Sequence, residues 1–547
     1  MILLGNLNNN DSLGKVITKA TYVPINGSSG AVFSGGTFLV YKDGIYTFVV
    51  GVSTSVSVGG ATVAIIVNES GVFSAVTAVT GRMCVVAWCR NGSIFEVVGS
   101  NNLSSVVRAT GKIKPILSLP AEYDLLPEVV PISVTQELDG SLTYSTTYDV
   151  AVHKATTGVT YYVDVATGSD AAAGTIGAPL KSINVAISKT PLASIIMVKY
   201  AAGDDYDRSY GWSSSITNRT LSIIGYGGGR PKLTTVDRFS TTWTLYSTGV
   251  YTRSRTQTGG IIDLDVVDSY GRPQQLTEAA SLAECQSTPS TFYFATPNVY
   301  IHLHDDRAPD SDVKLLLNQN NGRVVDNAIV YLENLEFGYS YRGFHGEVVT
   351  AGATSGRVFA KDCVFGMSLT ENSYNSYGMS GVVQNCIAEY GNKDGFNIHS
   401  DRTGGITIVP WFIEIDCEGR YCGYDGFEFN NGSTYHDGVL GLRLNGNYHH
   451  THGRPINDVS EGTVSINIGC YSGDSTWSST ARSCWESGQA STGTTKMYCY
   501  SCRTPDPTDG SQTFIRQGTS ELYLFDSPIG IRAQYYGGAN PYTFIYV

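Results

Sequence analysis

Lys361-Asp362-Cys363-Val364-Phe365-Gly366, Gln384-Asn385-Cys386-Ile387, Ile415-Asp416-Cys417-Glu418 and Ile468-Gly469-Cys470-Tyr471 are four copies of one short phrase. In each, a β-prone run meets Asp, Asn or Gly, then Cys, then a second short β-prone run. Glu333-Asn334-Leu335-Glu336-Phe337-Gly338 and Gly446-Asn447-Tyr448 read the same way, with another apolar or aromatic residue in place of Cys. Positions 363, 386, 417, 448, 470 and 499 are 23, 31, 31, 22 and 29 residues apart. A period in the twenties to low thirties, with β-branched and aromatic runs and no long helical pattern, predicts a parallel β-helix. Each coil then lays its strand on the strand below at about 4.8 Å, so that like residues stack inside.

The rest of the chain narrows the function classes. It has 547 residues, 61 of them Gly and 35 Tyr, with only 15% charged. That length gives room for two to four domains, and the composition favours strands and turns. A formal net charge of -12 argues against a nucleic-acid partner. No apolar run reaches the roughly 18 residues needed to span a bilayer, so membrane insertion is not expected. The opening Met1-Ile2-Leu3-Leu4 runs at once into Gly5-Asn6-Leu7-Asn8-Asn9-Asn10, too short and polar for a signal peptide. A chain made and folded in a reducing cytoplasm is the expectation. The eleven cysteines fit it: the number is odd, and four recur at coil spacing, which reads as a buried thiol ladder rather than disulfides. Cys499 and Cys502 form one C-x-x-C with no second pair or His spacing, so no metal site is expected there. Nor is a cofactor: no Gly-x-Gly-x-x-Gly opens a helix after a strand, and there is no phosphate loop.

Four segments follow from these patterns. Residues 1–115 alternate short β runs with Gly-rich turns, as in Tyr46-Thr47-Phe48-Val49-Val50, and read as a small separate β domain. Residues 116–158, with Pro115 just before them and Pro120, Pro127 and Pro131 within, read as a neck or linker. Residues 159–503 carry the solenoid, and residues 504–547 a short C-terminal β cap. Within the solenoid, Asn298–Pro309 reads as an inserted strand and turn or as a longer coil. Leu180, Ile183 and Ile187 share one helical face and predict a short amphipathic helix closing the open end of the lumen.

Tyr161-Tyr162-Val163-Asp164, Gly168-Ser169-Asp170, Gly174-Thr175 and Ala178-Pro179-Leu180-Lys181-Ser182-Ile183 together resemble the opening phrase of right-handed β-helix proteins of the pectin-lyase-like superfamily. With a small β domain and a proline-bearing neck ahead of the helix and no signal peptide, the organisation resembles that of bacteriophage tailspikes. The resemblance implies an all-β, right-handed parallel β-helix that assembles as a homotrimer. It also implies attachment to phage tail or baseplate proteins through the N-terminal domain, residence in the virion, and binding and cleavage of a bacterial surface polysaccharide. Fold alone never fixes chemistry.

Glycosidic hydrolysis needs two carboxyl groups, which a β-helix supplies at matching positions of adjacent coils. Asp394 and Asp425 share the phrase Asp-Gly-Phe at a spacing of 31 residues, one coil. Asn392-Lys393-Asp394-Gly395 also resembles, in part, the phrase that carries the catalytic Asp of polygalacturonases, although Lys393 departs from it and the other phrases of that family are missing. Asp-Gly is equally a turn pair that closes a coil. His399, Asp401, Glu428, His436 and Asp437 follow these two phrases and complete the catalytic candidates. Arg402, Trp411, Arg420, Tyr424, Tyr435 and His450 are the candidates for holding sugar, with Tyr421 and Tyr448 as further aromatic faces. Glu414 and Glu418 are further acids, Asp416 belongs to an interior Asx ladder, and His345 with Glu347 marks the upstream end of a groove. His449, His450 and His452 alternate on an extended strand and so do not converge on a metal.

Two other classes share these residues. A lyase would set Arg402, Arg420 or Arg443 against a uronate carboxylate, with His or Tyr as base. A non-catalytic receptor-binding spike would keep the groove and hold sugar without cleaving it. A cellular pectin-lyase-type enzyme fits less well with the extra N-terminal domain.

Overall fold

Short β-branched runs separated by single Asn, Asp or Gly corners stack in register, and three long parallel sheets result. The computed structural model describes residues 119–136, 142–190, 193–203, 205–237, 243–255, 259–350, 353–354, 356–400, 408–423, 430–475, 483–488, 494–504, 512–517 and 519–525, with strand backbone alone between 14 and 97 and at 533–536 and 545–546. The chain divides into two units, Met1–Leu119 with Val130–Tyr148, and Pro120–Val129 with Asp149–Val547. The first unit is antiparallel: a four-stranded sheet within residues 63–97, two three-stranded sheets, and the hairpin Ile132–Gln136 with Leu142–Thr146.

The second unit is the parallel β-helix. Its first sheet has twelve strands, its second ten and its third seven. One coil runs from the second sheet (Tyr374–Tyr377) to the first (Ser380–Gln384), then past the two-residue corner Asn385-Cys386 to the third (Ile387–Glu389). The first strand is Val159–Val163 and the last to join the first sheet is Ile545–Tyr546. The strands described beyond 504, Gln512–Gln517 and Glu521–Phe525, continue the same stacks.

Seven successive corners that leave the first sheet from the strand Ile329–Glu333 onward each hold one residue with positive φ: Asn334, Asp362, Asn385, Asp416, Asn445, Gly469 and Ser501, at φ values between 48° and 64°. Short polar side chains tolerate this left-handed conformation because they bond to nearby groups. Asp416 and Asn385 are exposed, and Asn445 donates to Asp416 at 3.1 Å. The Asx ladder is thus external, a correction to its expected interior place. The next residue turns inward, and there the expected thiols stack: Cys363, Cys386, Cys417, Cys470 and Cys502 are all buried and free.

Side chains alternate across each strand, so one column of the first sheet's inner face can be read off the register. It runs Leu332, Ala360, Val383, Glu414, Arg443, Asn467, Cys499, Leu524. Three successive polar residues interrupt an apolar stack. Arg443 is wholly buried and binds Asp458 at 2.8 and 2.9 Å. Glu414, also wholly buried, accepts from Ser433, Tyr435 and Tyr448 at 2.7 to 2.8 Å. Gly441 sits beneath the Tyr435 ring, where any Cβ would collide with it.

The expected end cap is present as the helix Ile183–Lys189, which buries Ile183, Ala186 and Ile187, with Leu180 buried beside it. The stretch 116–158 is only partly a linker. Its segments 120–129 and 149–155 run along the outer face of the first sheet: Glu122 meets Lys496 and Tyr498, Val150 N donates to Gln384, and Lys154 binds Glu333 at 2.7 Å. His153 stacks on Phe359 at 3.6 Å, and Ala155 N donates to Ser222. Between the strands Lys232–Leu233 and Arg323–Val325 the chain inserts a subdomain with a five-stranded and a three-stranded sheet and its own core of Ile261, Phe292, Val299, Ile301 and Leu315. The strand Asn298–His302 belongs to it. Among the described residues no helix is long and apolar enough to cross a membrane.

Candidate functional site

The second sheet presents its outer face as two polar columns. Phe344, Tyr374 and Phe396 point inward, so their neighbours point out. One column runs Arg323, His345, Asn375, Asn397, Thr434; the other runs Glu347, Tyr377, His399, and then His436, which follows Tyr435, the partner of Ile398. A buried, amide-rich sheet face is unusual, because amides out of water need partners to offset their desolvation.

Those partners form a connected set. Asp394 stands at the head of the strand Phe396–His399 and accepts from Asn431 N at 2.7 Å, from Asn431 Nδ2 at 2.9 Å and from Asn397 Nδ2 at 2.5 Å. Its own N–H donates to Asn372, whose amide donates to Asn375. Asn375 meets His345 at 3.2 Å, and His345 meets Glu347 at 3.3 Å. Arg323 closes the series on Glu347 at 2.5 Å. Burial pushes the Asp394 acid above the ordinary carboxyl range, outweighing the donors from Asn431 and Asn397 and the field of His399. For Glu347, burial is outweighed by His345 and Arg323, which hold the carboxyl down to about 2.

His399 is the hinge of the face. Its Nδ1 lies 3.2 Å from Asp437 Oδ2, its ring stacks on His436 at 4.0 Å, and its other face meets Tyr377 at 5.0 Å. Ser400 fixes the same turn by donating to the Asp437 carbonyl. His436 bonds Thr434 at 2.8 Å; burial and the neighbouring His399 hold it well below the ordinary histidine range, so it is neutral. Asp437 and His399 keep 23% and 20% of their side-chain surface exposed, enough for a ligand to reach them.

The candidates from sequence therefore separate. Asp394, His399, His436 and Asp437 come together on this face. Asp401, Arg402, Tyr424, Asp425 and Glu428 lie outside the described residues, and with them the Asp394–Asp425 pair. Tyr435 is a correction: it faces the lumen, wholly buried, with its hydroxyl on Glu414 and its ring 3.7 Å from the Arg443 guanidinium, so it offers no surface to a sugar. Arg443, Glu414 and Tyr448 are interior for the same reason. Trp411 lies on the first sheet beside Leu440, away from this face. Arg420 is on the third sheet, bound to Glu389 at 2.7 Å and Glu418 at 3.0 Å.

His450 sits at a positive-φ corner in an aromatic ladder with Tyr421 and Tyr390. Tyr270, from the inserted subdomain, packs 5.6 Å from Tyr421 and 5.7 Å from His450, and Arg272 donates to Gly423 O. Ring faces in this ladder are already occupied by one another, so it braces the corner next to the Asp394 turn and does not offer a free stacking platform. Sequence reading passed over Arg323, Asn372, Asn375, Asn397 and Asn431. Aligning Tyr374-Asn375-Ser376-Tyr377 with Phe396-Asn397-Ile398-His399 would have exposed two of them as one column.

No protein-family model matches the sequence, and no curated protein matches it. Among solved structures, the fold is similar to that of XylC in complex with xylose, at 8% identity over 69% of this chain and 68% of that one, with a TM-score of 0.37. It is similar to a glycoside hydrolase at 8% identity over 69% and 96%, with a TM-score of 0.38. A tailspike protein of Acinetobacter baumannii bacteriophage Fri1, a capsular polysaccharide depolymerase, matches at 9% identity over 66% and 58%, with a TM-score of 0.28. These likenesses concern the stacking of strands and assign no residue.

Proposed function

We propose that this chain binds and hydrolyses a bacterial surface polysaccharide, as a phage tailspike depolymerase, on the outer face of its second sheet. The observation that carries the reading is the contrast between two carboxyl groups around His399. Asp394 is buried with its acid held high; Asp437 is partly exposed and bonded to His399. Two titratable groups in opposed settings are the arrangement by which one site supplies both an acid and a base. In this reading Asp394 protonates the leaving glycosidic oxygen, and Asp437 with His399 takes the proton of the attacking water. Tyr377 and the amides of Asn375 and Asn397 line the polymer path. Attachment to a phage tail through residues 1–115, residence in the virion and homotrimerisation belong to the same proposal.

A second reading is binding without cleavage. It is favoured by one observation: both oxygens of Asp394 are already taken by Asn397 and Asn431. Incubating the purified chain with capsule and O-chain polysaccharides from candidate bacteria, beside an Asp394→Asn, Asp437→Asn double variant, separates the two. New reducing ends lost in the variant support hydrolysis. Unsaturated products indicate a lyase, and retention of polymer without any product leaves a receptor-binding spike.

A further inference from the structure

Four side-chain atoms on and beside the outer face of the second sheet are out of water and without a hydrogen-bond partner: Asn397 Oδ1, Asn430 Nδ2, Asn431 Oδ1 and Asn457 Oδ1. Their residues are only 3 to 7% exposed. Register places them close together. Asn397 stands opposite Thr434, whose hydroxyl bonds the Asn457 carbonyl on the next coil, and Asn430 and Asn431 lead into the strand Ser433–Tyr435. Asp394 sets the direction of two of the amides: it draws Nδ2 of both Asn397 and Asn431 to itself, so the oxygen of each points elsewhere. Native chains bond nearly all such atoms, and four in one region mark a place made for another molecule. Folding has already stripped them of water, so a hydroxyl arriving there gains a hydrogen bond with no further desolvation of the protein.

Charge narrows the kind of molecule. Among the described residues, each cation on this face already holds a carboxylate: Arg323 binds Glu347 at 2.5 Å, Lys393 binds Glu371 at 3.1 Å, and Arg454 binds Glu486. Asp394 and Asp437 stand beyond these pairs, with His399 between them. Arg420 is on the third sheet and Arg443 is in the lumen, so neither reaches a ligand here. An anionic group on this face meets carboxyls and amide oxygens.

Three of the four unpaired atoms are acceptors and one is a donor. Their complement is a ligand rich in hydroxyl groups, each of which donates, and without a negative charge. We infer that the polysaccharide taken on this face is neutral, with Oδ1 of Asn397, Asn431 and Asn457 accepting from its hydroxyls and Nδ2 of Asn430 donating to one of its oxygens. The inference rests on the reading of this face as the saccharide site and narrows its substrate class. It also sets this face against β-elimination, which needs a cation on a uronate carboxylate.

An array of purified capsule and O-chain polysaccharides of known repeat, half of them neutral and half carrying uronate, sialate or phosphate, tests it with the full chain. Engagement is read as retention on the array or as new reducing ends, and it is confined to neutral repeats. Asn457→Leu then weakens engagement of the best neutral polymer about tenfold, the size of one hydrogen bond, while the melting temperature holds or rises, because an apolar group of similar shape replaces an unpaired buried amide. A merely structural Asn457 gives the opposite result, a lower melting temperature with unchanged engagement, and that result overturns the inference, as does a variant that changes neither. Cleavage of acidic repeats overturns it and keeps the hydrolase reading. Retention of neutral repeats without product keeps it and loses that reading, and engagement of no polymer ends both.

Discussion

His399 Nδ1 and Asp437 Oδ2 approach to 3.2 Å across the boundary between two successive coils. The two residues are 38 apart in the chain, and their meeting depends on the register that sets Ile398 opposite Tyr435. The inner face of the strand thus fixes the outer one: Ile398 and Tyr435 are packed in the lumen, and the residues after them, His399 and His436, are stacked side by side on the outer face.

Replacing Asp437 by Asn, or His399 by Gln, lowers cleavage by about 10² or more, the range of a lost general base. Neither substitution touches the lumen, so the melting temperature stays within about 1 °C of the parent for a surface change of a few tenths of a kcal/mol. Reducing-end assays beside thermal melts check both halves; a joint loss of activity and fold would assign the pair a structural role.

The pH profile carries a sign. In the proposed mechanism Asp394 acts as an acid only while protonated, and burial raises its pKa, so the rate falls as pH rises through that elevated value. His399 pulls the same pKa down. His399→Gln therefore moves the alkaline limb of the residual activity to higher pH, and a shift to lower pH contradicts the assignment.

Acid stability reads the other end of the face. Glu347 is held at about 2 in the folded chain against an ordinary 4.5. Its contribution is fully present above about 4.5 and is lost as pH falls through about 2, because the unfolded chain binds the proton first. Glu347→Gln flattens the dependence of melting temperature on pH within that window and leaves it unchanged near neutrality in slope.

The lumen network is a stability element. Arg443→Met leaves Asp458 and Glu414 buried without their cation, and costs about 3–5 kcal/mol in denaturant unfolding, the penalty for breaking a buried ion set on one side. Burial already raises the Glu414 acid against Arg443's field, so in the variant Glu414 takes up a proton. The loss is accordingly smaller at acidic pH.

At the corners, Asn385→Ala costs about 1–2 kcal/mol, because φ is 55° and Ala has no side-chain bond to offer there. Asn385→Gly costs less than the Ala change. Equilibrium unfolding of the two variants orders them; the reverse order would exclude backbone conformation as the reason for Asn at this position.

What the sequence made legible is what repeats. The Asx-Cys phrases at 362–363, 385–386 and 416–417 marked corners and the thiols behind them, and Leu180, Ile183 and Ile187 marked the end cap, because both follow from local period and burial; the repeat positions read at Tyr448 and Cys499 fall within strands, their corners being Asn445 and Ser501. The side of the sheet on which a given polar residue falls needs the register, and that was not available locally. Tyr435 and His436 are neighbours in sequence, yet one lies in the lumen and the other on the outer face of the sheet. Glu414 and Arg443 looked like surface charges because nothing local announces that Asp458, from another sheet, meets them inside. The inserted subdomain showed one strand, Asn298–His302, and hid the rest, since its strands pair mostly antiparallel and break the coil period.

The thiol stack has a temporal consequence. Burial keeps Cys363, Cys386, Cys470 and Cys502 far above the range in which a thiol reacts, so while the stack is intact these four are silent to oxidants and alkylating reagents. Once a coil opens, several thiols spaced along one strand of chain become reactive together, and cross-linking among them bars the way back. Each molecule then carries a record of whether its stack has ever opened, and the slow alkylation of Cys363, Cys386, Cys470 and Cys502 in a native sample is a clock for that opening.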